Sequence, residues 1–160
     1  MTYSPARGVA YARQWAYARN PIYYDFDPLG GDCTNFVSQC LYAACGVMND
    51  TPETGWYYYS LSRRSASWSG VPFLHEFLTG NTGPGPYGHE APLEEAKAGD
   101  IVQLSFDGKT FSHSLYVVSA RSPAAPDNIQ IATHTFNAFN RFLGSYSYIS
   151  SRLIALDGAR

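Results

Sequence analysis

The sequence predicts an α+β fold, with N-terminal helices packed on an antiparallel β-sheet. Three observations predict it. The first half carries apolar residues at helical spacing, the second half carries them in short strand-like runs, and only short turns join those runs. The whole of residues 1–160 reads as one domain, a length that can bury a sizeable core.

The first helix opens at Ser4-Pro5, a capping serine followed by a proline preset for helical φ, and runs through Val9, Ala12, Trp15, Ala16 and Arg19. Asn20-Pro21 ends it, because the residue before proline is pushed out of the α region. Residues 21–31, rich in Tyr, Asp, Gly and Pro, lead to a second helix with Phe36, Val37, Cys40, Leu41 and Ala44 on one stripe and Gly46 as a left-handed stop. Residues 47–70 are aromatic and irregular. A short helix follows with Val71, Leu74, Phe77 and Leu78 on one face, and residues 81–90 read as a Gly/Pro loop. Strands are expected at 101–104, 113–120, 129–135 and 149–156, with a turn at Asp107-Gly108.

Composition narrows the function. A formal net charge of −2 argues against nucleic acid or an anionic membrane as the main partner, and no apolar run is long enough to span a bilayer. The N-terminus lacks the apolar segment of a signal peptide, which fits a cytosolic protein or a domain excised from a longer exported one. Neither C-x-x-C nor H-E-x-x-H occurs, and Cys33 and Cys40 on one helix would sit about 10 Å apart along its axis, so no disulfide, metal or cofactor is expected.

Gly31-Asp32-Cys33-Thr34-Asn35-Phe36-Val37-Ser38-Gln39 is the most informative stretch. It sets Cys33 in the first helical turn, on the apolar stripe, behind Asp32 as a side-chain cap. The positive end of the helix dipole there favours a thiolate, which makes Cys33 the candidate nucleophile, while Cys40 and Cys45 read as buried structural thiols. Of the four histidines, His113 starts one strand, on a face with Leu115 and Val117, and His134 ends the next. Antiparallel pairing would set both at one sheet edge, where Cys33, His113 as base and His134 as orienter could converge, with Asn137 as the reserve orienter. Backbone N–H groups at the helix start would serve the oxyanion. His75 and His89 read as solvated or locally bonded. Tyr57, Tyr58 and Tyr59 line a substrate groove or cap the core.

The cysteine motif, with Ala10-Tyr11-Ala12, Gly55-Trp56-Tyr57-Tyr58, Gly99-Asp100-Ile101-Val102-Gln103, His113-Ser114 and His134-Thr135, resembles the putative amidase domain family. Those domains belong to the cell-wall cysteine peptidase superfamily of papain-like fold that also holds NlpC/P60 and CHAP domains. The resemblance implies attack by the Cys33 thiolate on a peptide-type amide, commonly in peptidoglycan, with His113 as base and His134 as third polar residue. It also implies oxyanion assistance from an upstream tyrosine, Tyr23 or Tyr24. A monomeric hydrolase acting on a peptide or peptidoglycan substrate is expected. The alternatives are a non-catalytic peptide- or glycan-binding module and an acyltransferase that resolves the thioester with an amine.

Overall fold

The computed structural model describes residues 2–160 and is mixed α+β. Helix α1 (Pro5–Trp15) is followed by α2 (Cys33–Cys45), a small hairpin of β1 (Tyr58–Ser60) and β2 (Arg63–Arg64), α3 (Ala66–Ser69) and α4 (Val71–Gly80). The remaining strands are β3 (Pro86–Ala91), β4 (Ile101–Ser105), β5 (His113–Ser119), β6 (Gln130–Thr133), β7 (Ala138–Phe142) and β8 (Ser150–Ala159). They form one antiparallel sheet in the order β3-β8-β4-β5-β6-β7. Among the described residues no helix is long and apolar enough to cross a membrane.

Helix α2 is buried around nearly its whole circumference. One side meets α1, and another lies on the sheet across β5. Phe36, Val37, Cys40 and Leu41 join Ala12, Trp56, Trp68, Ile101 and Tyr116 in the core between helices and sheet. Gly8 lets α1 approach so closely that a Cβ there would lie 1.9 Å from the Tyr116 hydroxyl. A second core of Val102, Leu104, Leu115, Val117, Ile129, Ile131 and Leu153 fills the opposite face of the sheet. Strand β4 serves both cores and is buried at every residue.

Several elements differ from the sequence expectation, beginning with β1, β2 and α3, which form within residues 47–70, read as irregular. Helix α1 stops at Trp15, because its carbonyl accepts from the Ala18 N–H and from His134 Nε2 instead of continuing the helical ladder. The loop expected over 81–90 yields β3 at its end, zipped to β8 by backbone pairing that side-chain patterning does not announce. Strand β7 carries Asn140 at φ 62°, next to a register shift that blurs alternation. Strand β8 runs on to Ala159, because β3 partners that extension.

Candidate functional site

The polar residues of the cysteine motif are buried, and most are committed to structure. Thr34 Oγ1 shares a hydrogen bond with Ser114 Oγ (2.9 Å), and Ser114 Oγ accepts from Gln103 Nε2 (3.2 Å), which ties α2 to β5 and β4. Asn35 donates to the Tyr24 carbonyl and to Asp32 Oδ1, and accepts from Trp68 Nε1. Ser38 donates to the Trp68 carbonyl and accepts from Trp56 Nε1. Gln39 accepts from the Tyr11 hydroxyl. Cys33 stands apart, its sulfur having a weak 3.8 Å contact with Thr34 Oγ1.

Asp32 occupies the N-cap position, but its carboxylate caps nothing. Oδ1 accepts from the Phe26 N–H and Asn35 Nδ2, both at 2.8 Å, and Oδ2 accepts from His134 Nδ1 at 2.5 Å. Buried neighbours bid for the carboxylate more strongly than the exposed-helix rule assumes. The N–H groups of the first turn of α2 therefore have no side-chain cap beside the cysteine. The glycine entry is required by geometry. Gly31 has φ 123°, and a Cβ there would press to 3.0 Å from Thr135 Oγ1, the atom that accepts from the Asp32 N–H.

His113 opens β5, and the backbone N–H of the next residue, Ser114, turns toward the Cys33 sulfur. Cys33 and His113 are both 7% exposed. Burial raises the Cys33 thiol above its ordinary pKa, against the stabilising hydrogen bonds from Ser114 and Thr34. This reverses the expectation that the helix dipole leaves a thiolate at rest, since dehydration outweighs the dipole. Burial also pushes His113 down to about 4, helped by the charge of Arg141, so the ring is neutral at pH 7. Among the described residues no hydrogen bond joins the thiol to the imidazole. His113 Nε2 instead sits 3.5 Å from Thr133 Oγ1, at the long limit of such a bond, and its ring lies 5.9 Å from that of Tyr146.

The two predicted partners of His113 lie elsewhere. Strands β5 and β6 do pair antiparallel, as expected, with Tyr116 opposite Ala132 and Val117 opposite Ile131. That register sets Ser114, not His113, across from His134. His113 shares its face with Leu115 and Val117, whereas His134 emerges on the helix side and stacks on Phe36 at 4.1 Å. The His134 ring is 1% exposed, with Nδ1 held by Asp32 and Nε2 donating to the Trp15 carbonyl. It clamps α1, α2 and the end of β6 together. Asn137 Oδ1 accepts from Arg19 Nη2 on the surface, so neither residue reaches the His113 ring.

Tyr23 packs between Tyr58 and Trp68, and burial raises it to about 12. Tyr24 lies edge-on to Phe26. Tyr58 is buried in the core, the capping role weighed for it, while Tyr59 is exposed. His75 pairs with Glu90 and His89 with Asp157, and His89 lies on β3 instead of in a loop. Cys40 and Cys45 are free, buried thiols. Among the described residues no cluster of three or more His, Cys, Asp or Glu side chains is arranged to hold a metal ion.

Sequence reasoning missed Thr133 and Tyr146. Once the β5–β6 register is known, Thr133 is the residue one before His134 on the His113 face. Tyr146 is delivered by a 3-10 turn (Leu143–Ser145) and left no signal in the sequence pattern.

A family model described as a putative amidase domain matches residues 2–156. A curated relative, an uncharacterized protein YhbB of Bacillus subtilis, is 31% identical over 120 residues, which cover 73% of this chain and 37% of that protein. The chain thus spans little more than a third of that relative. No solved structure matches. The chain belongs to the putative amidase domain family, which points to amide hydrolysis.

Proposed function

With membership of that family as the premise, we propose that the protein is a cysteine-dependent hydrolase of peptide-type amides, of papain-like architecture, acting on bacterial cell-wall peptides. The observation that carries this reading is the isolation of Cys33. Every other polar side chain of its motif is matched to a strong structural partner, whereas Cys33, at an uncapped helix start beside Ser114 at the His113 end of β5, has only weak contacts to its sulfur.

The chemistry begins from a neutral pair. As Cys33 Sγ bonds to the amide carbon, His113 takes the thiol proton, and the carbonyl oxygen becomes an oxyanion held by backbone N–H groups of the first turn of α2. The C–N bond then breaks, and the proton on His113 leaves with the amine. Water attacks the thioester, gives a proton to His113, and releases a carboxylic acid and the thiol. Thr133 Oγ1 steadies the ring through Nε2, which leaves Nδ1 to exchange the proton. A base of low pKa is a weak acceptor but is fully available at neutral pH, and the dry site strengthens the oxyanion contacts.

The test is digestion of purified peptidoglycan by the wild type and by Cys33→Ala, with fragments identified by mass. New amine and carboxyl ends that need Cys33 support the reading, and identical digests refute it. An added amine acceptor that captures the acyl group would reassign the protein as a transferase.

A further inference from the structure

Arg141, on β7, is the cation whose charge acts on the His113 ring. Its guanidinium carbon lies 3.6 Å over the Tyr146 ring. Nε donates to Ser145 Oγ (2.7 Å) and Nη2 to the Ser145 carbonyl (3.3 Å), which fixes the plane of the group. It has no carboxylate partner: the ion pairs among the described residues belong to Arg19, Lys97 and the other histidines. Nη1 is free of protein partners in the same network.

The Tyr146 hydroxyl adds a second unspent donor. It is buried against the Arg141 guanidinium, which can only donate to it, so the hydroxyl's own proton has no acceptor, a situation that costs stability unless something else takes it. Its ring packs 5.9 Å from His113, and its hydroxyl lies within the electrostatic reach of Cys33. A positively charged fork with no carboxylate partner and a hydroxyl whose proton has no acceptor therefore lie together beside the His113 ring. A planar anion with two oxygens matches that pair of donors better than a neutral amide, since it satisfies the charge as well as the hydrogen bonds.

We propose that Arg141 and Tyr146 form a receptor for a free carboxylate on the substrate, so that the amides cleaved are those bearing a carboxylate beside the scissile bond. The proposal rests on the function assigned to Cys33 and His113 and names the substrate class of that site. It carries a consequence for the base. A bound carboxylate would offset the Arg141 charge that now disfavours the imidazolium, making His113 a stronger acceptor only when the matching substrate is present.

Binding can be tested without turnover. Cys33→Ala protein is titrated by calorimetry with N-acetylglutamate and with its neutral diamide, while NMR follows the His113 ring through pH. The carboxylate is expected to bind at least about tenfold more tightly than the diamide, and to weaken at least about tenfold in Arg141→Gln, a change that about 1.4 kcal/mol produces. Tyr146→Phe, which keeps the packing, is expected to weaken it several-fold. The His113 midpoint is expected to rise on binding. Equal affinity for both probes, indifference to Arg141→Gln and Tyr146→Phe, or no binding at millimolar concentration overturns the receptor. Peptidoglycan cleavage that needs Cys33 but ignores Arg141→Gln and Tyr146→Phe also overturns it, and leaves the hydrolase standing. Carboxylate binding with no Cys33-dependent cleavage does the reverse.

Discussion

Acid sensitivity offers a quantitative check on the burial of His113. An unfolded chain presents a histidine of ordinary pKa, 6.5, whereas the folded ring is pushed down to about 4. On acidification the unfolded state takes up the proton first. The contribution is therefore fully present above pH 6.5, is lost as pH falls through the window from 6.5 to about 4, and changes no further below it. Proton linkage with those two values gives a loss of about 2 kcal/mol between pH 8 and pH 5. In a domain of this size that is a melting temperature lower by about 4–8 °C. Carboxylates elsewhere also respond to acid, so the quantity to measure is a difference. Urea unfolding of wild type and His113→Gln at pH 8 and pH 5 isolates the histidine, since glutamine does not titrate. The wild type is expected to lose about 2 kcal/mol more than the variant over that interval. Equal losses would mean that the ring is hydrated or paired, and the neutral-pair mechanism would fall with its premise. Arg141→Gln supplies an internal control: removing the nearby cation is expected to raise the His113 midpoint in an NMR titration.

Other substitutions separate chemistry from scaffolding. Cys33→Ser is expected to leave the melting temperature within a few degrees and to abolish peptidoglycan cleavage, because an alkoxide is far harder to form than a thiolate. Thr133→Val is expected to lower kcat about tenfold with KM little changed, through a less ordered His113 ring, and to shift the pH profile. An effect on stability alone would make Thr133 structural. His134→Ala leaves buried Asp32 and the Trp15 carbonyl without their partner and is expected to cost about 3–5 kcal/mol in denaturant unfolding. Asn137→Ala, which loses one exposed bond to Arg19, is expected to stay within about 0.5 kcal/mol of wild type. A fully stable His134→Ala protein that turns over slowly would restore that histidine to catalysis.

The sequence by itself determined the α+β class, the start and stop of α2, and the pairing of β5 with β6. Each follows from local signals: Gly-Gly-Asp before α2 and Gly46 after it, apolar periodicity along Phe36, Val37, Cys40 and Leu41, and short connections between strands. It also singled out Cys33, because a cysteine after Gly-Gly-Asp at a helix start is locally unusual. Only the tertiary structure decided which groups surround that cysteine. A slip of one residue in register carries a side chain to the other face of the sheet, so the choice between a His134 beside His113 and one stacked on Phe36 waits on the register that the folded sheet adopts. The role of Asp32 is likewise nonlocal, since its carboxylate leaves the helix end for a histidine 102 positions away. Whether the Cys33 thiol is ionised depends on how much water the packed domain excludes, and that is set by both cores together. Thr133, Arg141 and Tyr146 carry no motif; they matter because the fold sets them around His113.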